Sequence, residues 1–219
     1  MLKLYHCMGS RSFRALWTLE EARLPYELVM MPFPPRVRYS GYLTINPLGT
    51  VPAFFDGEEM MTESAGICQY IAARYAPETL AVAADKPSYA AYLNFMHMGE
   101  ATLTFPQTIF FRYSMLEPPE RRQPVVADDY RRWFASRLKN AAKLLNGRTY
   151  VCGDRFTAAD ISFGYALGFA THLKLAEHFP PSIADYWETL KTRDGFQRAR
   201  EKEVQGSRDQ GVEVVEVNY

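Results

Sequence analysis

Hydrophobic and polar positions change rhythm partway along the chain. Up to about residue 77, short apolar runs alternate with amphipathic stretches; beyond about residue 87, nearly every stretch repeats at helical spacing. "LKLY" (2–5) and "YELVMM" (26–31) read as strands, with Phe13, Leu16, Trp17 and Leu24 at helical intervals between them. The Pro- and Gly-rich "PFPPRVRYSGYLTINPLGT" predicts irregular chain. "VPAFF" (51–55) and "EEMM" (58–61) flank Asp56-Gly57, a hairpin signal, and Ile67, Cys68, Tyr70, Ile71 and Tyr75 mark one face of a further helix. Farther on, "PSYAAYLNFMHMGEATL" and "DYRRWFASRLKNAAKLLNG" read as helices, the second stopped by Gly147. "FTAADISFGYALGFATHLKL" is nearly apolar and predicts a buried central helix, opened by the capping pair Thr157 and Asp160. "SIADYWETLKTRDGFQRAR" predicts a last pair of surface helices, and the tail "VEVVEVNY" alternates as a strand or an extended arm would.

The expected fold class is α+β followed by all-α. A thioredoxin-like β-α-β-β-β-α domain over 1–77 precedes a linker at 78–86 and an all-helical domain over 87–219. Composition narrows the function. Lys plus Arg and Asp plus Glu both number 25, so the formal net charge is zero, without the basic footprint of a nucleic-acid binder. No apolar run reaches the roughly 20 residues that span a bilayer, and no basic-then-apolar leader opens the chain. Three scattered cysteines, Cys7, Cys68 and Cys152, fit a reducing, cytoplasmic compartment better than a disulfide scaffold, and no Cys/His spacing suggests a metal.

Three stretches carry candidate chemistry. "LYHCMGSRSFRALW" holds a thiol, Cys7, and two hydroxyls, Ser10 and Ser12, in a loop before a helix. In "NPLGTVPAFF", Pro52 heads a strand, and in thioredoxin-like domains a cis proline there exposes its predecessor's peptide group to a peptide-like ligand. In "MTESAGICQYI", Glu63 and Ser64 open a helix. The free N–H groups and dipole there favour a carboxylate, and Glu63 suits an ammonium. Together they fit a ligand end bearing both groups, as an α-amino acid does; a plain helix cap is the bland alternative.

"LYHCMGSRSFR", "INPLGTVPAFF", "TESAGICQYI" and "CGDRFTAADISF" occur in an order and at spacings that resemble the soluble glutathione transferases. The resemblance implies a dimeric transferase with a role in detoxification. Glutathione would be its co-substrate and a small apolar electrophile its second substrate. Val51 and Pro52 would clamp the cysteinyl part of glutathione, and Glu63 and Ser64 its γ-glutamyl end. "YLNFMHMGE" resembles the bacterial beta class, in which the residue matching Asn94 reaches the neighbouring subunit's glutathione. Arg36 or Arg38 would meet the glycyl carboxylate; the family often has a basic residue just before the "TVP" step, where Leu48 and Gly49 stand here, so the resemblance does not supply that contact.

The reactive loop resembles the delta and theta classes instead. Ser10, four residues before Arg14, matches "GSxxxR", and Arg11 stands where the beta class has its cysteine. A hydroxyl at a helix start would stabilise the ligand's thiolate. Ser10 is therefore the preferred catalytic residue, ahead of Cys7 and Ser12. Met8, Phe105, Phe110, Phe111 and Tyr113 are candidates to line the electrophile pocket, Met because it adapts to varied apolar shapes. A glutathione-dependent lyase, isomerase or Cys7-based disulfide reductase, and a non-catalytic ligand carrier, are the competing readings.

Overall fold

The computed structural model describes residues 1–219, which divide into two compact units. The first holds Met1–Ala81 together with Lys191–Val217; the second holds Val82–Leu190 and the last two residues. The sequence reading drew its linker at 78–86 and gave everything from 87 onward to the helical part. In the structure the last long helix groups with the N-terminal unit instead.

The first unit is built on a four-stranded sheet of order β2-β1-β3-β4. β1 (Leu2–His6) and β2 (Tyr26–Met30) run parallel, joined by α1 (Phe13–Glu21). Two short helices, α2 (Pro35–Arg38) and α3 (Tyr42–Ile45), fill the connection expected to be irregular. β3 (Ala53–Asp56) and β4 (Glu59–Met61) form the antiparallel hairpin, β3 starting two residues and β4 one residue later than the sequence suggested, with Gly57 at φ +64 in its turn. α4 (Ser64–Tyr75) completes the thioredoxin-like set.

α1 is buried along both faces because two helices cover it. α4 lies on one side. On the other lies α10 (Asp194–Asp209), whose Phe196 meets Phe13 and Trp17 edge-on at centroid distances of 5.7 and 5.0 Å. Charge pairs hold α10 down. Arg193 forks onto Glu21 at 2.8 and 2.9 Å, and Arg198 reaches Glu20 at 3.1 Å. Gly195 permits this approach: a Cβ there would lie 2.4 Å from Glu21 Cδ. α10 therefore lies at the surface, as the sequence predicts, but packs one face, with Phe196, Ala199 and Glu203, into the unit.

The amide of Gln210, just past α10, occupies the free edge of β2. It accepts the Met30 N–H at 2.8 Å and donates to the Leu28 carbonyl at 2.9 Å. The tail beyond it forms no strand and runs as an extended arm, with Val217 buried against Gly9. Gly9 is glycine for two reasons: its φ is +67, and a Cβ there would stand 2.9 Å from a Val217 methyl.

The second unit is helical: α5 (Tyr89–His97), α6 (Phe105–Phe111), α7 (Pro124–Leu145), α8 (Ala158–His172) and α9 (Pro181–Lys191). A π-helical stretch, Met98–Thr104, joins α5 to α6. There Gly99 meets α8 so closely that a Cβ would lie 2.3 Å from the Ser162 carbonyl oxygen, and the Ser162 hydroxyl donates to the Met96 carbonyl at 2.6 Å. α8 is buried almost throughout, as its composition predicts. The Asp160 carboxylate accepts the Thr157 N–H at 2.8 Å and its hydroxyl at 3.0 Å, so the capping pair forms. It also accepts the Val151 N–H and the Tyr186 hydroxyl, each at 2.8 Å.

Candidate active site

The loop leaving β1 turns back on itself around the Cys7 carbonyl. That oxygen accepts both the Ser10 N–H at 3.2 Å and the Ser10 hydroxyl at 2.9 Å. Regular α1 therefore starts only at Phe13, with Ser12 just before it; Ser10 belongs to the turn rather than to the helix tip. This corrects the sequence reading, which relied on the dipole of α1 beginning at Ser10. The local cause is Gly9, whose positive φ makes the turn, followed by single-turn bonds from Phe13 N–H to Ser10 and Arg14 N–H to Arg11.

The three side chains of the loop part company. Ser10 is half-exposed and open to a ligand. Ser12 is fully buried, and its Oγ lies 2.7 Å from Ser10 Oγ and 2.7 Å from His6 Nδ1. Cys7 is buried with Met31 and Tyr42, where Tyr5, Ile45 and Val51 pack around them, and its Sγ lies 3.8 Å from the Pro32 carbonyl. Burial pushes the Cys7 thiol up to about 12, far from a nucleophile's range.

The Val51–Pro52 peptide is cis. The loop before it is fixed from within: the Thr50 carbonyl accepts the Tyr42 hydroxyl and the Asn46 amide, both at 2.7 Å. Val51's own N–H and C=O take no partner in the chain, so this half-buried peptide group is free for a ligand. The register Tyr5↔Ala53 sets Val51–Pro52 at the same end of the sheet as the loop after β1.

Glu63 and Ser64 open α4, Glu63 exposed and Ser64 buried. The fully buried Arg14 guanidinium donates to Ser64 Oγ at 3.1 Å, which ties the first turn of α1 to the start of α4. Sequence reasoning treated Arg14 only as a motif letter; its spatial role in fixing Ser64 was missed. Hydroxyl loop, free peptide group and helix start thus gather at one end of the sheet.

Arg36 offers the positive charge that Leu48 and Gly49 lack. Its stem packs over Gly49, where a Cβ would lie 2.9 Å from Arg36 Cβ, so glycine at φ +63 lets the arginine lie over the loop. No group of the chain pairs with Arg36, whereas Arg38 lies 3.5 Å from Glu213.

In the second unit Asn94 is exposed on α5, in a groove with Leu93, His97 and Met98. Phe105 is 45% exposed and stands edge-on to Tyr130. Phe110, Phe111 and Tyr113 are half-buried, Phe111 edge-on to Phe169. Met8, in the first unit's loop, is also half-buried.

A thioredoxin-like sheet bearing a cis-proline peptide group beside a hydroxyl loop, with a helical second unit, defines the architecture of the glutathione transferases. Residues 4–79 match the family model for the glutathione S-transferase N-terminal domain. Glutathione S-transferase 3 of Schizosaccharomyces pombe is 25% identical over 92% of this chain and 88% of its own length. Glutathione S-transferase 4 of Zea mays is 29% identical over 82% of each. Among solved structures, a glutathione transferase of Methylococcus capsulatus superposes with a TM-score of 0.81 at 26% identity, covering 93% of this chain and 98% of that one. Residues 4–79 thus match the glutathione S-transferase N-terminal domain, and along most of its length the chain is similar to soluble glutathione transferases.

Proposed function

We propose that the protein is a glutathione S-transferase in which Ser10 stabilises the glutathione thiolate for attack on a small apolar electrophile. The observation that carries this is the half-exposed Ser10 hydroxyl at the same end of the sheet as the unpartnered Val51 peptide group. Val51 and Pro52 take the cysteinyl backbone of glutathione. Ser64, held by Arg14, and the N–H groups at the start of α4 take the γ-glutamyl carboxylate, and Glu63 takes its ammonium. Arg36 takes the glycyl carboxylate. Met8, Phe105, Phe110, Phe111 and Tyr113 serve the electrophile. The active form is a cytoplasmic homodimer acting in detoxification, with Asn94 reaching the partner's glutathione.

A glutathione thiol has only a few per cent thiolate at neutral pH, so a hydroxyl that favours the anion raises the reactive fraction directly. The reductase alternative needs an accessible, acidic Cys7, and its burial argues against that version. The test is conjugation of a chloronitrobenzene by Ser10→Ala. A loss of at least about tenfold is expected, the size of one charge-assisted hydrogen bond. Full activity in a folded variant would remove Ser10 from the mechanism.

A further inference from the structure

Ser10 does not end at Ser12. Its Oγ is 2.7 Å from Ser12 Oγ, and Ser12 Oγ is 2.7 Å from His6 Nδ1. His6 Nε2 is in turn 3.1 Å from Glu203 Oε2, on α10 and 197 residues away in sequence. His6, Ser12 and Glu203 are all fully buried. A continuous line of hydrogen bonds therefore runs from the one half-exposed hydroxyl of the loop to a buried carboxylate.

The partners fix its direction. Arg200 Nη1 donates to Glu203 Oε1 at 2.6 Å, and the Gly9 N–H donates to Oε2 at 3.3 Å. With both donating to it, the carboxylate takes the accepting role toward His6. The Nε2 of His6 is then the donor, and in the neutral ring Nδ1 must accept. It accepts from the Ser12 hydroxyl, whose oxygen is left to accept from the Cys7 N–H at 3.3 Å and, once the Ser10 hydroxyl turns to it from the Cys7 carbonyl 2.9 Å away, from Ser10. Met30 stands opposite His6 in the β1–β2 register, and the Met31 N–H donates to the His6 carbonyl.

We propose that this line is a proton relay, in which His6 receives the thiol proton of bound glutathione through Ser10 and Ser12. The proposal rests on the glutathione reading above and deepens it. The thiol S–H bond breaks as its proton passes to Ser10 Oγ; the Ser10 proton passes to Ser12 Oγ, and the Ser12 proton to His6 Nδ1. One S–H bond is lost and one N–H bond is made. The sulfur becomes an anion and His6 an imidazolium facing Glu203. Each hydrogen bond survives with its direction reversed, so Ser10 ends by donating to the thiolate. In an addition the same line returns the proton to the product. In a substitution the proton leaves to water when the product does. Ser10 is the catalytic residue; Ser12, His6 and Glu203 are positioning residues that act through it.

The test counts protons. Glutathione is titrated into the protein at pH 7, thiolate formation is read by ultraviolet absorbance, and proton release by calorimetry in buffers of different ionisation enthalpy. Because the proton stays on His6, thiolate should form with well under half a proton released per site. Thiolate forming with about one proton released would overturn the relay while leaving the transferase reading intact. No glutathione binding at all would overturn both. Glu203→Gln keeps the shape of the carboxylate and removes its charge. It should lower the thiolate fraction at pH 7 about tenfold and move the pH profile of kcat/KM upward, with KM for glutathione within about threefold. An unchanged profile in that variant also overturns the relay. The count on the unaltered protein decides the matter even if the variant fails to fold.

Discussion

Cys7 is the residue a reader of the sequence would first suspect, and its chemistry can be measured directly. Its side chain is 1% exposed, and burial pushes the thiol from 9.0 up to about 12. Three units correspond to a thousandfold smaller thiolate fraction at any pH well below both values, and the thiolate is the species that alkylates. Iodoacetamide at pH 8, followed by peptide mapping, should therefore label Cys7 about 1,000-fold more slowly than a small free thiol. Cys68, which burial pushes up to about 11, should also lag, whereas the half-buried Cys152 should react first. Removing the sulfur leaves a small void, so Cys7→Ala should cost about 1 kcal/mol and keep conjugation within about twofold. Labelling of Cys7 within tenfold of a free thiol in the folded protein would refute the argument. So would a tenfold loss of conjugation in a fully folded Cys7→Ala.

Burial raises the Asp160 carboxyl to about 6, above its unfolded value of 3.8, so its contribution is full below about pH 4 and is lost as pH rises through 6. Denaturant titrations should show the unaltered protein's advantage over Asp160→Asn shrinking by about 2 kcal/mol between pH 4 and 6.5, and a constant gap would contradict this. Gly99→Ala would push a methyl onto the Ser162 carbonyl; a loss of about 1–3 kcal/mol is expected in chemical denaturation, and none would show that the helices separate freely. Arg36→Gln should raise KM for glutathione about three- to tenfold with kcat nearly constant, while Arg38→Gln, whose charge faces Glu213, should change neither; equal effects would disqualify Arg36 as the carboxylate partner.

Local periodicity made the strands, the two grammars of the chain and the Thr157–Asp160 cap legible, because each is written within one turn or one strand. The cis state of Val51–Pro52 was not legible, since it depends on packing rather than on the dipeptide. The relay was missed for a similar reason. His6 reads as one more strand residue, and Glu203 lies among so many charges that α10 looks solvent-exposed. A signal was nevertheless there. Phe196, Ala199, Glu203 and Ser207 follow one another at steps of three and four, so two polar residues continue the buried stripe of an otherwise charged helix. A buried Glu on such a stripe calls for a partner, and His6 supplies it from the far end of the sequence.

The Gln210 amide on β2 has a consequence for behaviour at high concentration. A sheet edge offers a row of donors and acceptors that a strand from another molecule can join. Here a single side chain fills the Met30 and Leu28 positions with one accepted and one donated bond, copying what a neighbouring strand would do and leaving no continuous ladder to extend. The alternating "VEVVEVNY" segment is the nearest stretch of β-prone sequence in the chain, and with that edge closed it has nothing there to pair with. One glutamine thus occupies two of the positions on β2 at which a strand of another copy would otherwise join.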